Sequence, residues 1–352
     1  MKIQFSLFAA SLAALLLAAH PGARASAAGC AITIFPRLGT YAPSGRLYGP
    51  GLVLAGGGAE EAPASMFPWM RRALAGPRSG RFGNVVFLRA SDATEYDRLF
   101  YDGGKFQSVQ TVLIPPCASR AQVDRAAPVV DGADAVFFAG GDQSHYVVWK
   151  GSKLMAAVER VYARGGLVGG GSAGLAIQGA VVYDAVAADR YGNDTHTADA
   201  VADPLERRIS FTTGLFAWPP LTDTITDTHL AVRNRLGRTI VFLARILRDD
   251  LLPGATTVYA LGIDQASAVV VGPGGVGTVL NGPGGRGAYF VRASNPPHLS
   301  PGVPFRYTVD VAHVARTGAR IDLLHKAAPV AWRSLTVDAA RSPIYSWNPY
   351  AP

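Results

Sequence analysis

Cysteine is nearly absent from this 352-residue chain, which holds only Cys30 and Cys117. Neither lies near a motif that would make a thiol catalytic, so cysteine-nucleophile chemistry is not expected. In an oxidising compartment the two could pair and tie the N-terminus to the body; two free thiols are the equal alternative. Charge is also sparse, at 16% of residues against 49% hydrophobic, which excludes a disordered chain. Acids are outnumbered 25 to 33, leaving a net charge of +8 and a pI near 9.6. The basic residues are mostly scattered arginines with no dense run interleaved with aromatics, so no nucleic-acid partner is expected. Other signatures are missing too. Gly56-Gly57-Gly58 follows an apolar run but lacks the G-x-G-x-x-G register of a dinucleotide site, and the glycine cluster around Gly170 lacks the lysine of a phosphate cradle.

The N-terminus reads as a leader. Lys2, the apolar run from Phe5 to Ala19, and Ala23-Arg24-Ala25 or Ala25-Ser26-Ala27 give a charged start, an apolar centre and a small-x-small cleavage site. The run is too short and wrongly flanked for a stable membrane span. An exported protein, periplasmic or extracellular, is expected. Cys30 after Ala28-Gly29 is a weak lipid-attachment signal, because Ala27 stands where a larger apolar residue is usual. The expected organisation is a signal peptide over 1–27, a lead over 28–47, a hydrolase domain over 48–325 and a tail over 326–352. In the tail, Trp332, Tyr345, Trp347 and Tyr350 read as aromatics packed over the domain edge.

From Tyr48 the pattern is α/β. Apolar runs at Gly51–Ala55, Asn84–Leu88, Thr111–Pro115 and Asp134–Ala139 read as buried strands, and Ser144 reads as the cap of a helix reaching about Ala163. Leu167-Val168 is a further strand. Uniformly apolar strands alternating with helices predict a mostly parallel sheet covered on both faces, with ligands beyond its carboxyl ends. Gly56–Gly58, Gly140–Gln143 and Ser172 all fall at such ends. Residues 185–220 read as an irregular, Asp-rich excursion, and the short apolar runs from Thr256 to Val291 as a hairpin-rich continuation.

Within that frame Gly170, Ser172 and Gly174 have the G-x-S-x-G spacing of a nucleophile elbow. Glycine suits a tight strand-to-helix approach, whereas a purely structural apex could be Asn, Asp or Gly. His229 stands between a polar turn and the apolar helix Thr239–Leu247, placed to act as a base toward a serine. Arg233 and Arg238 follow it and could bind a substrate carboxylate; alternatively, Arg235 and either of these neighbours could be solvated or paired with the acidic excursion. Asp194-x-His196 and Asp227-x-His229 lack a third organised ligand, so no metal or other cofactor is expected.

Together, Gly56–Gly58, Phe138-Ala139-Gly140-Gly141-Asp142-Gln143, Gly170-Gly171-Ser172-Ala173-Gly174, Asp227-Thr228-His229 with Arg233 and Arg238, and Gly262-Ile263-Asp264-Gln265 resemble the serine peptidases that include cyanophycinase and peptidase E. The pieces lie in family order from about Leu52 to Leu324. The resemblance implies a flavodoxin-like fold related to class I glutamine amidotransferase domains, with Ser172 as nucleophile and His229 as base. The cyanophycinase-like branch is the closer match, and Gln143, Arg233 and Arg238 would then bind a β-linked aspartyl-arginine unit of a peptide or cyanophycin-like polymer. The oxyanion would be met by the Gly141 and Ala173 amides. Asp189 is nearest to the family spacing for the triad acid, with Asp184 second. Thr228 departs from the family's Gln before the histidine, and Gln265 stands where Glu is common. A non-catalytic binder on the same fold, or a serine exopeptidase or esterase for another substrate, are the alternatives; the absence of an upstream HGGG stretch weighs against an α/β-hydrolase esterase. The oligomeric state is open, with a homodimer among the options.

Overall fold

The computed structural model describes residues 27–58, 66–76, 78–91, 95–192 and 194–351. The leader, apart from Ala27, lies outside them.

Five parallel strands form the centre of the first sheet: β1 Gly51–Ala55, β2 Asn84–Arg89, β3 Ser108–Leu113, β4 Ala135–Phe138 and β5 Leu167–Gly171. They lie side by side as β3-β2-β4-β5-β1. The run β2 to β5 therefore has the 2-1-3-4 arrangement of a doubly wound sheet. The fifth slot holds β1, the first of these five in sequence, so the expected flavodoxin-like order is only partly realised. Sequence alone does not specify this order, because strand neighbours are chosen by the crossovers between them.

Alternation along these strands explains why both faces are covered. Val53, Val85, Phe87, Phe137 and Leu167 point into one core, where Met66, Phe67, Met70 and Leu74 of the helix Met66–Ala75 meet them. Leu52, Leu54, Leu88, Phe138 and Val168 point into the opposite core, with Leu154, Val158 and Val161 of the helix Lys153–Ala163. Fully burying one such side chain stabilises the fold by roughly 1.5–3 kcal/mol. The single helix expected from Ser144 is interrupted: one turn over Ser144–Val147 ends, and Ser152 starts the next helix by accepting the Met155 amide at 3.1 Å.

The C-terminal extension is mostly strands, as expected, and they divide between two sheets. Ser267–Val271 and Val276–Asn281 join the first sheet antiparallel beside β1. Two more strands, β6 Thr224–Thr228 and β7 Thr257–Ile263, lie parallel at the centre of a second sheet, extended by Ala288–Ser294, Arg306–Val314 and Arg333–Asp338. One face of that sheet shares the core of Phe138 and Val168 through Leu261, Ile263 and Phe290. The other buries Ile240, Val241 and Leu243 of the helix Leu236–Arg248. The excursion over 185–220 is more ordered than expected, with helices Val186–Tyr191 and Thr197–Ala202 and a strand Phe211–Thr213.

Both ends of the described chain are built into this body. Thr33–Ile34 and Leu38–Gly39 pair with β3, and Cys30 is disulfide-bonded to Cys117 just past it. In the tail, the Tyr350 and Tyr345 hydroxyls accept the Leu236 and Gly237 amides at 3.1 and 2.9 Å. These are first-turn amides that have no partner within their own helix. No described helix is long and apolar enough to cross a membrane.

Candidate active site

Strand direction and register assemble the site. β1, β4 and β5 are parallel, so Gly56–Gly58, Gly140–Gln143 and Ser172 emerge on one rim. In the second sheet Thr228 is paired with Ile263, so His229 and Gln265 leave neighbouring parallel strands almost level with each other. A backbone bond stitches the two sheets together there. His229 N–H donates to Gly56 O at 2.9 Å, while the bonds from Gly56 N–H to Ser267 O at 2.9 Å and from Ala266 N–H to Gly57 O at 3.2 Å extend the first sheet's own ladder beneath it.

Ser172 sits at φ 51° and ψ −117°, a conformation that costs a non-glycine residue on the order of 1–3 kcal/mol. The flanking glycines do not carry the positive φ; the serine does. Gly174 is needed for space, since a Cβ there would lie 2.0 Å from Phe138 O. His229 is also left-handed, at φ 48°. Its imidazole packs flat on Gly57, where a Cβ would lie 2.1 Å from His229 Cε1 and φ is +128°. The first glycine cluster thus seats a ring rather than a nucleotide.

The contact that this geometry produces is Ser172 Oγ to His229 Nε2 at 2.8 Å. The other ring nitrogen, Nδ1, is 3.2 Å from Gln265 Oε1. A carboxamide oxygen only accepts, so this partner fixes the tautomer with hydrogen on Nδ1 and leaves the Nε2 lone pair toward Ser172. Burial, followed by the nearby Arg233 guanidinium, lowers the His229 pKa to about 4. The imidazole is neutral at neutral pH.

With both ring nitrogens engaged, no place remains for the expected acid. Asp189 is an exposed residue of the helix Val186–Tyr191 on the cavity wall, and Asp184 accepts Val186 N–H, Ser210 Oγ–H and Thr212 Oγ1–H as a brace of the excursion. Gln265 fills the third position. The sequence did flag the Gly262–Gln265 run, but only the register of β6 against β7 brings it beneath His229.

Arg238 requires a second correction. It is 2% exposed and holds Asp227 through two bonds of 3.1 and 2.7 Å and Asp194 through one of 2.8 Å, stacked over Tyr183. Burial by itself would raise the Asp227 and Asp194 carboxyls; Arg238 overrides it, and both stay below the usual carboxylate range. Arg238 is therefore unavailable to a substrate. Both Asp-x-His aspartates are consumed in these pairs. Arg235 reaches the cavity instead, bonded to Asp194 and to Thr228 Oγ1, the latter at 3.0 Å.

The cavity beside Ser172 has a volume of about 360 Å³. Gly141, Ala173, Gln143, Arg233 and Asp142 line it with Asp189. The Gly140–Gly141 loop runs against the serine, a Cβ on Gly140 lying 3.5 Å from Ser172 Cβ. Gln143 Nε2 donates to Tyr183 O at 3.3 Å. The Arg233 guanidinium is exposed and has no hydrogen bond or ion pair among the described residues.

No family model matches the chain, and no curated protein matches its sequence. The crystal structure of a peptidase from an acI-B1 Actinobacterium aligns at a TM-score of 0.42 and 15% identity, over 79% of this chain and 98% of that one. The structure of a putative peptidase E from Listeria monocytogenes EGD-e aligns at 0.38 and 13%, over 63% and 94%.

Proposed function

We propose that this chain is an exported serine peptidase acting through an acyl-enzyme. The observation that carries the reading is the 2.8 Å contact between Ser172 Oγ, held at a strained strand-to-helix apex, and the free Nε2 of a neutral His229. His229 takes the serine proton as the oxygen attacks a substrate carbonyl. The developing oxyanion is met by the amides of Ala173, first residue of its helical turn, and Gly141; one such donor is typically worth roughly 3 kcal/mol of barrier. The imidazolium then protonates the leaving amine, and water repeats the cycle. Gln265 keeps the ring in the productive tautomer but adds no negative charge.

The cavity is the size of a small-ligand site, which favours a short peptide unit. Arg233 would take a carboxylate of that unit and Gln143 a polar backbone group, as in hydrolysis of a β-aspartyl-arginine bond of cyanophycin. Because Arg238 is withdrawn into buried ion pairs, one of the three expected substrate contacts is missing. That observation favours a second reading, a peptidase of the same mechanism for a different acidic dipeptide. Export fits the leader signature and the Cys30–Cys117 disulfide, which persists in oxidising compartments.

The test is incubation of the chain lacking its leader with a serine-reactive phosphonate, and separately with cyanophycin, beside Ser172→Ala. Labelling and release of β-aspartyl-arginine by wild type alone are expected. Labelling without release means that the catalytic apparatus serves another substrate, and no labelling in either protein refutes the serine mechanism.

A further inference from the structure

A second cavity, of about 310 Å³, lies far from Ser172 and is lined by Arg71, Arg72 and Arg78 together with Pro68, Gly76 and Phe82. Its place follows from the chain path. The helix Met66–Ala75 comes after the carboxyl end of β1 and runs back, so its last turn meets Tyr48, which precedes β1. Tyr48 N–H donates to Ala73 O at 3.1 Å, and a Cβ on Gly76 would touch the Tyr48 ring. The cavity is thus at the amino end of the strands, opposite the catalytic rim.

The charge balance there is one-sided. Residues 66–91 contain five arginines and no Asp or Glu. Arg78 is pre-positioned: Nε donates to Ala75 O and Nη1 to Ser44 O, both at 2.9 Å, Nη2 to Arg46 O, and its plane lies 4.1 Å over Phe82. Those acceptors are neutral carbonyls, so its charge is not cancelled. Arg71 and Arg72 have no hydrogen bond or ion pair among the described residues. A helix C-terminus favours one nearby cation. It does not account for three guanidiniums around one concavity, which repel each other until an anion enters.

We propose that this cavity binds a phosphate group, with Arg71 and Arg72 closing on it beside the fixed Arg78. Guanidinium forks match phosphate oxygens bidentately, and charge-assisted bonds of this kind are the strong ones. The phosphate is either free or the headgroup of an anionic lipid; both present the same oxygens, and the second would hold the protein at a membrane surface with the catalytic rim facing away.

The experiment compares wild type with an Arg71→Gln/Arg72→Gln variant. Inorganic phosphate is titrated by calorimetry at low and at physiological salt, and both proteins are floated with phosphatidylglycerol or phosphatidylcholine vesicles. Wild type is expected to bind phosphate in a salt-sensitive way, with affinity about tenfold or more above the variant. Selective flotation with phosphatidylglycerol vesicles assigns the headgroup, and phosphate binding without flotation assigns a free phosphate. Phosphonate labelling of Ser172 serves as the folding control and is expected to be equal in both proteins. No binding of phosphate or vesicles by wild type, or equal binding by a variant that still labels, overturns the proposal.

Discussion

Replacing Gln265 by Glu asks most directly what an uncharged third partner does. In wild type His229 titrates near 4, because burial and Arg233 both disfavour the imidazolium and only a neutral amide faces Nδ1. The amide oxygen is 3.2 Å from that nitrogen, so a carboxylate there would place its charge roughly 5 Å from the centre of the imidazolium. At an effective dielectric near 20 the attraction is about 3 kcal/mol. That is about 2 pKa units, moving His229 to roughly 6. The base must be neutral to accept the serine proton, so activity falls as pH drops through its pKa. The acidic limb of kcat/KM should lie near pH 4 in wild type and near pH 6 in Gln265→Glu. Since the imidazolium forms in the transition state, the variant should also be faster on its plateau, by up to roughly 100-fold if the whole attraction is felt there. Gln265→Ala should slow the reaction without moving the limb upward. The assay is a pH series on whichever peptide the wild type cleaves. A limb that stays in place in Gln265→Glu, with the protein folded, would refute the assignment of Gln265 beneath His229.

Three further outcomes follow from the packing. Gly57→Ala places a methyl 2.1 Å from the His229 ring at φ +128°, so the imidazole must move; activity should fall roughly 100-fold or more while the far-ultraviolet spectrum is retained. Arg238→Met leaves Asp227 without its ion-pair partner and Asp194 with Arg235 alone, and should cost about 3–5 kcal/mol in urea denaturation at neutral pH. Because both carboxyls are held below their usual range, the stability they contribute is present above the unfolded pKa and lost as pH falls through the folded one, so the deficit of Arg238→Met should shrink in acid. Reducing the Cys30–Cys117 bond, or replacing both by Ser, releases a closure of 87 residues, for which loop entropy sets a ceiling of roughly 4–5 kcal/mol; an unchanged melting temperature would argue against the bond.

The sequence by itself determined the local features. Uniform apolar runs dictated buried strands, because a strand covered on both faces has no polar side to show. Gly170-x-Ser172-x-Gly174 dictated a tight turn, because only glycine tolerates the approach of Gly174 to Phe138 O. His229 was legible as an imidazole between a polar turn and a helix, though not as the residue that ends the strand Thr224–Thr228, and the convergence of three loops followed from parallel strands sharing one direction.

What the tertiary structure alone decided was which residues meet. The family resemblance pointed to Asp189, but the register of Thr228 against Ile263 delivered Gln265, thirty-six positions after His229 in the chain, to the imidazole. His229-x3-Arg233-x4-Arg238 looked like one binding face. The helix beginning at Leu236 turned Arg238 inward, where two aspartates from distant segments could neutralise it, and left Arg233 outside. Pairings of this kind depend on strand order and on burial, which one-dimensional periodicity does not encode.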